Sequence, residues 1–196
     1  MSVVMKPDKV NALIIDNNKE ITDLLKEIMT RLGFGQIIVA NNAYDGTKAF
    51  LANPIHIIIL DWHLKTHSAQ NRTKINVPIQ VADALNGNDL VGRIRRSPKS
   101  PNPFVPVIMF TDPMNTKQFI AARDMGVNEI ITKPLSVQAL CDRMIQMINS
   151  PRPYVTADSF KGPCRRHKKG PPPQKENLKT ETRIIRYDES RKMLKK

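Results

Sequence analysis

A chain of 196 residues is long enough for one packed domain with segments to spare. Its formal net charge of +13 is lopsided: residues 151–196 hold 14 basic and five acidic residues (+9), whereas residues 1–150 come to only +4. The two cysteines lack metal or disulfide spacing, and no apolar run suits a signal core or a membrane span; the expectation is a soluble, cytoplasmic protein.

Val10 to Ile15 reads as a strand. Asn17 and Asn18 offer capping oxygens to a helix whose Ile21, Leu24, Leu25, Ile28 and Leu32 share one face, with Gly33 beyond its end. Ile37 to Ala40 is a second strand, Ala43 to Leu51 a short helix closed by Asn53-Pro54, and Ile55 to Leu60 a third strand. Residues 66–86 break the rhythm with a long polar insert, a kind that is usually functional or disordered. Asn88 to Arg96 predicts a helix with Leu90, Val91 and Ile94 inward. Proline-rich Pro101 to Pro106 leads into a fourth strand, Val107 to Phe110. Thr116 to Met125 is a helix ended by Gly126, and Glu129 to Ile131 a fifth strand. Ser136 caps a last helix with Val137, Leu140, Cys141, Met144 and Ile148 inside. Five strand–helix units in a row predict the α/β class, with a doubly wound, five-stranded parallel sheet. After Ser150 the chain carries six of its 15 prolines. Residues 151–196 should form an irregular tail, largely extended or disordered, with Arg183 to Tyr187 as a candidate strand or docking segment.

In an open parallel sheet, ligands collect at the carboxyl ends of the strands. The apolar run Ile57-Ile58-Ile59-Leu60 ends abruptly in Asp61, and Leu13-Ile14-Ile15 ends the same way in Asp16, followed by Asn17. The fourth strand delivers Thr111, and the fifth delivers Lys133 ahead of Pro134, which can fix the backbone there, through a cis bond if one forms. Two carboxylates can hold a hard divalent cation, and a hydroxyl with an ammonium can hold the oxygens of an anion. These parts suit phosphoryl transfer to a carboxylate, with Asp61 as nucleophile.

From about residue 9 to residue 150, the chain resembles the receiver domain of two-component response regulators, the flavodoxin-like chemotaxis type. The residues that carry the resemblance are Asp16, Asp61, Thr111 and Lys133-Pro134, with Gly87-Asn88-Asp89-Leu90 and Ala121 to Val127 at compatible spacing. The resemblance implies a sheet order of 2-1-3-4-5 and a phosphoacceptor at Asp61. It also implies Mg2+ held by Asp16, Asn17, Asp61 and the backbone carbonyl of His63. It implies a histidine kinase or phosphotransfer protein as donor, an output protein that the sequence does not name, and a signalling domain rather than an enzyme, capable at most of self-phosphorylation and self-dephosphorylation. Phe160-Lys161-Gly162-Pro163-Cys164-Arg165-Arg166 resembles tails on some alphaproteobacterial receiver proteins.

Four features depart from the family pattern. Asn17 stands where a second acid is usual, Asp112 where a small residue follows the threonine, and Ile130 where an aromatic switch residue is usual. The insert 66–86 replaces a short turn. An alternative is therefore a receiver-like scaffold that is never phosphorylated, with the basic tail meeting an acidic partner or nucleic acid. No DNA-reading element is evident. A haloacid-dehalogenase-like phosphatase needs an acid two residues after its nucleophile; His63 stands there, and that reading is set aside.

Overall fold

A computed structural model describes residues 7–64, 87–134, 136–149, 152–157, 160–165 and 183–185. A 3-10 turn (Pro7–Lys9) leads into β1 (Ala12–Ile15), α1 (Lys19–Arg31), β2 (Ile37–Ala40), α2 (Ala43–Ala52) and β3 (Ile57–Leu60). Then come α3 (Gly87–Arg96), β4 (Val107–Thr111), α4 (Thr116–Met125), β5 (Glu129–Thr132) and α5 (Val137–Asn149). The five strands are parallel in the order β2-β1-β3-β4-β5, which is the expected doubly wound sheet.

Strand alternation splits the core into two layers. Leu13, Ile15, Ile58, Leu60, Val107 and Met109 pack against Phe50 of α2, Leu90, Val91 and Ile94 of α3 and Ala122 of α4. Ala12, Ile14, Ile57, Ile59, Ile108 and Phe110 pack against Leu25, Ile28 and Met29 of α1 and Leu140 and Met144 of α5. Both faces are covered, which is why the strands read as continuous apolar runs.

The helix ends follow their sequence signals. Asn18, not Asn17, is the cap of α1, its Oδ1 accepting from Glu20 N at 2.9 Å and Ile21 N at 3.3 Å. Gly33 and Gly126 take positive φ beyond α1 and α4, at 78° and 96°. Asn115 and Gln118 form a reciprocal capping box on α4, and Ser136 Oγ caps α5 by accepting from Ala139 N. Two inward assignments fail. Leu24 is 43% exposed because the buried stripe of α1 runs through Leu25, Ile28 and Met29, leaving Leu24 at its edge. Val137 is 51% exposed, since packing of α5 begins a turn later at Leu140. Ile148 lies outside the residues whose side chains are described.

Within residues 151–196 the described segments hold three short strands, one of them at the candidate strand that begins at Arg183. β6 (Tyr154–Ala157) and β7 (Phe160–Pro163) form an antiparallel hairpin, and β8 (Arg183–Ile185) pairs with the other side of β6. The hairpin docks on the ends of α3 and α4. Tyr154, 1% exposed, stacks edge-on against Phe104 with centroids 5.5 Å apart, and the Arg95 guanidinium lies 5.4 Å from its ring centre. Gly162 meets Gly126 so closely that a Cβ on Gly162 would lie 2.8 Å from the Gly126 Cα. Arg165 stacks on Phe160 at 4.2 Å, pairs with Asp124 at 2.9 Å and donates to the Arg123 carbonyl at 3.0 Å. Gly162 and Arg165 thus carry contacts from this segment to the main domain. The insert 66–86 and residues 166–182 lie outside the described residues.

Candidate functional site

The sheet register brings the predicted carboxylates together. Ile15 pairs with Leu60, so Asp16 and Asp61 leave β1 and β3 side by side. Leu60 pairs with Met109, and Thr111 with Thr132, which puts Thr111 and Lys133 at the same edge. Asp16, Asp61 and Thr111 are all buried, at 3%, 5% and 0% exposure, whereas ordinary loop carboxylates sit in water.

Lys133 joins the two acids: its Nζ lies 3.1 Å from Asp16 Oδ2 and 3.6 Å from Asp61 Oδ1. Its backbone N–H donates to the Thr111 carbonyl at 2.9 Å, and the Lys133–Pro134 bond is cis. Asp16 Oδ1 accepts the Asn18 N–H at 2.8 Å, and Asp61 Oδ2 accepts the His63 N–H at 3.1 Å. Two oxygens stay unsatisfied. Asp61 Oδ1 and Thr111 Oγ1 are both buried without a hydrogen-bond partner among the described residues. Buried polar atoms are nearly always paired, which makes these two, side by side at one strand edge, candidates for contact with a bound group. Two carboxylates against one ammonium leave one negative charge unbalanced. Hard oxygen donors with an orphaned carboxylate oxygen fit Mg2+. Among the described residues no cluster of three or more His, Cys, Asp or Glu forms, so the acidic donor set is limited to Asp16 and Asp61.

The remaining predicted residues are placed as follows. Asn17 is half-buried between Asp16 and the helix cap. His63 has an exposed side chain, and the contact it makes with Asp61 is through its amide nitrogen. Asp112 is exposed to solvent. Trp62 and Ile130 are half-buried against the core layer that holds Leu60 and Met109.

Sequence reasoning missed what Gly87 does for Asp61. Its N–H donates to the Trp62 carbonyl at 3.1 Å, and a Cβ there would collide with the Asp61 carbonyl oxygen and Leu60 Cδ1. Backbone and core side chain cannot both yield, so Gly87→Ala should cost about 1–3 kcal/mol, read as a shift of the urea midpoint. Gly92→Ala in the same helix meets the flexible Met125 Sδ at 3.1 Å and should be near neutral, because alanine is the better helix former.

No protein-family model matches the chain. The chemotaxis protein CheY1 of Helicobacter pylori is 26% identical over 133 residues, spanning 67% of this chain and 91% of that protein. A chemotaxis protein CheY homolog of Campylobacter jejuni is 24% identical over 139 residues, 70% of this chain and 92% of that protein. The response regulator receiver domain protein (CheY-like) of Methanospirillum hungatei superposes with a TM-score of 0.56 at 17% identity, covering 71% of this chain and 93% of that one. The chain shares the fold of CheY-like receiver domains, and its similarity to these curated chemotaxis proteins supports a receiver domain. The non-phosphorylated HemR receiver domain of Leptospira biflexa also shares the fold, with a TM-score of 0.56 at 19% identity over 74% of this chain and 98% of that one. Among the described residues, no helix of the receiver domain or of the tail is long and apolar enough to cross a membrane.

Proposed function

We propose that the chain is a response regulator that accepts a phosphoryl group on Asp61 from a phosphohistidine donor and changes partner binding in consequence. The observation that carries this reading is the buried Asp61 Oδ1, which has no hydrogen-bond partner among the described residues and is flanked by the Lys133 ammonium. The His63 amide holds Oδ2, so Oδ1 keeps its lone pairs for attack on phosphorus. The P–N bond of the donor breaks as the P–O bond to Asp61 forms, and the donor imidazole keeps the electron pair. Lys133 offsets charge on the transferred oxygens, and the free Thr111 hydroxyl is available to donate to one of them. Asp16, Asp61, Asn17 and the His63 carbonyl would hold Mg2+, which when bound neutralises phosphoryl oxygens during transfer. With an amide at position 17 in place of an acid, the site carries one negative charge fewer, and Mg2+ should bind more weakly than at a site with the second acid.

The experiment is incubation with Mg2+ and acetyl phosphate, followed by a phosphate-affinity gel. Wild type should give a retarded, acid-stable and base-labile species that Asp61→Asn lacks. Equal signals would support the scaffold reading, in which Lys133 simply neutralises two acids and the basic tail makes the contact.

A further inference from the structure

The two halves of the candidate site hang on different strands. Asp16 and Asp61, the metal side, leave β1 and β3; Thr111 and Lys133, the anion side, leave β4 and β5. The tail hairpin grips the opposite ends of this second pair. Asn128, just before β5, donates its backbone N–H to the Val107 carbonyl at 2.9 Å and accepts the Val107 N–H on Oδ1 at 2.9 Å. Its Nδ2 donates to the Tyr154 hydroxyl at 2.9 Å. That hydroxyl lies 3.3 Å from the Val105 carbonyl and 3.1 Å from Asn128 Oδ1, either of which its single proton can serve. One phenol from the tail therefore touches the approaches to both β4 and β5. The docking contacts described above all fall on α3, α4 and these two approaches.

We propose that Asn128 and Tyr154 are positioning residues: by fixing β4 against β5 they bring Thr111 and Lys133 to the phosphoryl oxygens, so the docked tail tunes anion binding without touching metal binding. The inference rests on the phosphoacceptor reading. Binding free energies linked through one network are reciprocal, so a phosphoryl group at Asp61 tightens the hairpin by the same factor.

The test is calorimetry on the full chain with Mg2+ alone and then with beryllofluoride at saturating Mg2+. Tyr154→Phe keeps the ring against Arg95 and Phe104 and removes only the hydroxyl; Asn128→Ala removes the other partner. Both should leave Mg2+ affinity within about twofold and weaken beryllofluoride about five- to tenfold, the scale of a lost hydrogen bond. Ile28→Val, which softens the α1 layer, should change neither affinity, and this separates positioning from loss of stability. Wild-type affinities for both ligands in the Tyr154 and Asn128 variants, or a parallel fall in both, would overturn the inference alone. A wild type that binds Mg2+ but no beryllofluoride would overturn the phosphoacceptor reading and this inference with it.

Discussion

Arg95→Ala should destabilise the protein by about 3–4 kcal/mol, a large share of the typical 5–15 kcal/mol total, and lower the melting temperature by roughly 10 °C. Arg95 is 1% exposed. Its Nε donates to the Gly126 carbonyl at 3.0 Å, Nη1 to Pro103 and Val105 at 2.9 and 2.7 Å, and Nη2 to Asn128 Oδ1 at 2.9 Å. The fork therefore ties the end of α3 to the approaches of β4 and β5, and Tyr154 closes it from the tail side. Truncation to alanine strands four acceptors and opens a void. Among the described residues no carboxylate pairs with this guanidinium, so its charge is held by carbonyl and amide dipoles and the Tyr154 ring. Arg95→Lys should therefore be worse than Arg95→Met: lysine keeps the buried charge but cannot serve four acceptors, whereas methionine removes the charge and fills space. Thermal melts of the three variants give the order directly; lysine as the mildest change would contradict it. Burial lowers the guanidinium pKa from its ordinary value, and charge interaction with Tyr154 partly opposes that. The folded state therefore gives up the proton before the unfolded one, so between the two pKa values this group adds stability as pH rises.

Lys133→Ala should move two properties in opposite directions. Phosphoryl uptake at Asp61 should fall about 100-fold or more, as it does when a preorganised charge partner of a reacting group is removed. Mg2+ should bind about tenfold tighter, because the ammonium 3.1 Å from Asp16 and 3.6 Å from Asp61 no longer competes for the same carboxylates. Calorimetric Mg2+ titration beside a labelling time course checks both. A variant that loses metal affinity as well would mean that Lys133 holds the acids in place rather than neutralising them.

The five-stranded sheet was legible because buried parallel strands leave nothing but apolar residues between their ends. Ile57 to Leu60 and Val107 to Phe110 announce themselves, and Asp61 and Thr111 stand out as the first polar residues after them. The site was legible for the same reason, since strand ends fix where polar side chains converge. Less visible was anything that depends on close approach across the chain. Gly87 reads as an ordinary helix start, yet the Asp61 carbonyl oxygen and Leu60 Cδ1 occupy the space a Cβ would need, and this makes glycine necessary. Arg95 is one of three arginines in the last turn of its helix, and only its four partners from Pro103 to Asn128, with the Tyr154 ring over it, explain its burial. The hairpin had a signal of its own. Tyr154 to Ala157 and Phe160 to Pro163 are separated by just Asp158-Ser159, the two-residue spacing of a tight hairpin. Proline content and net charge across the whole tail masked it, because composition averaged over 46 residues hides a ten-residue element.

The central claim is that Asp61 carries the phosphoryl group, and position-resolved chemistry tests it most directly. An acyl phosphate formed with Mg2+ and acetyl phosphate is reduced by borohydride to homoserine, which peptide sequencing by mass spectrometry locates. The buried Oδ1 of Asp61, without a hydrogen bond among the described residues and beside the Lys133 ammonium, predicts homoserine at position 61. Homoserine at Asp16 or Asp112 instead, or at no aspartate of the chain, would contradict the account.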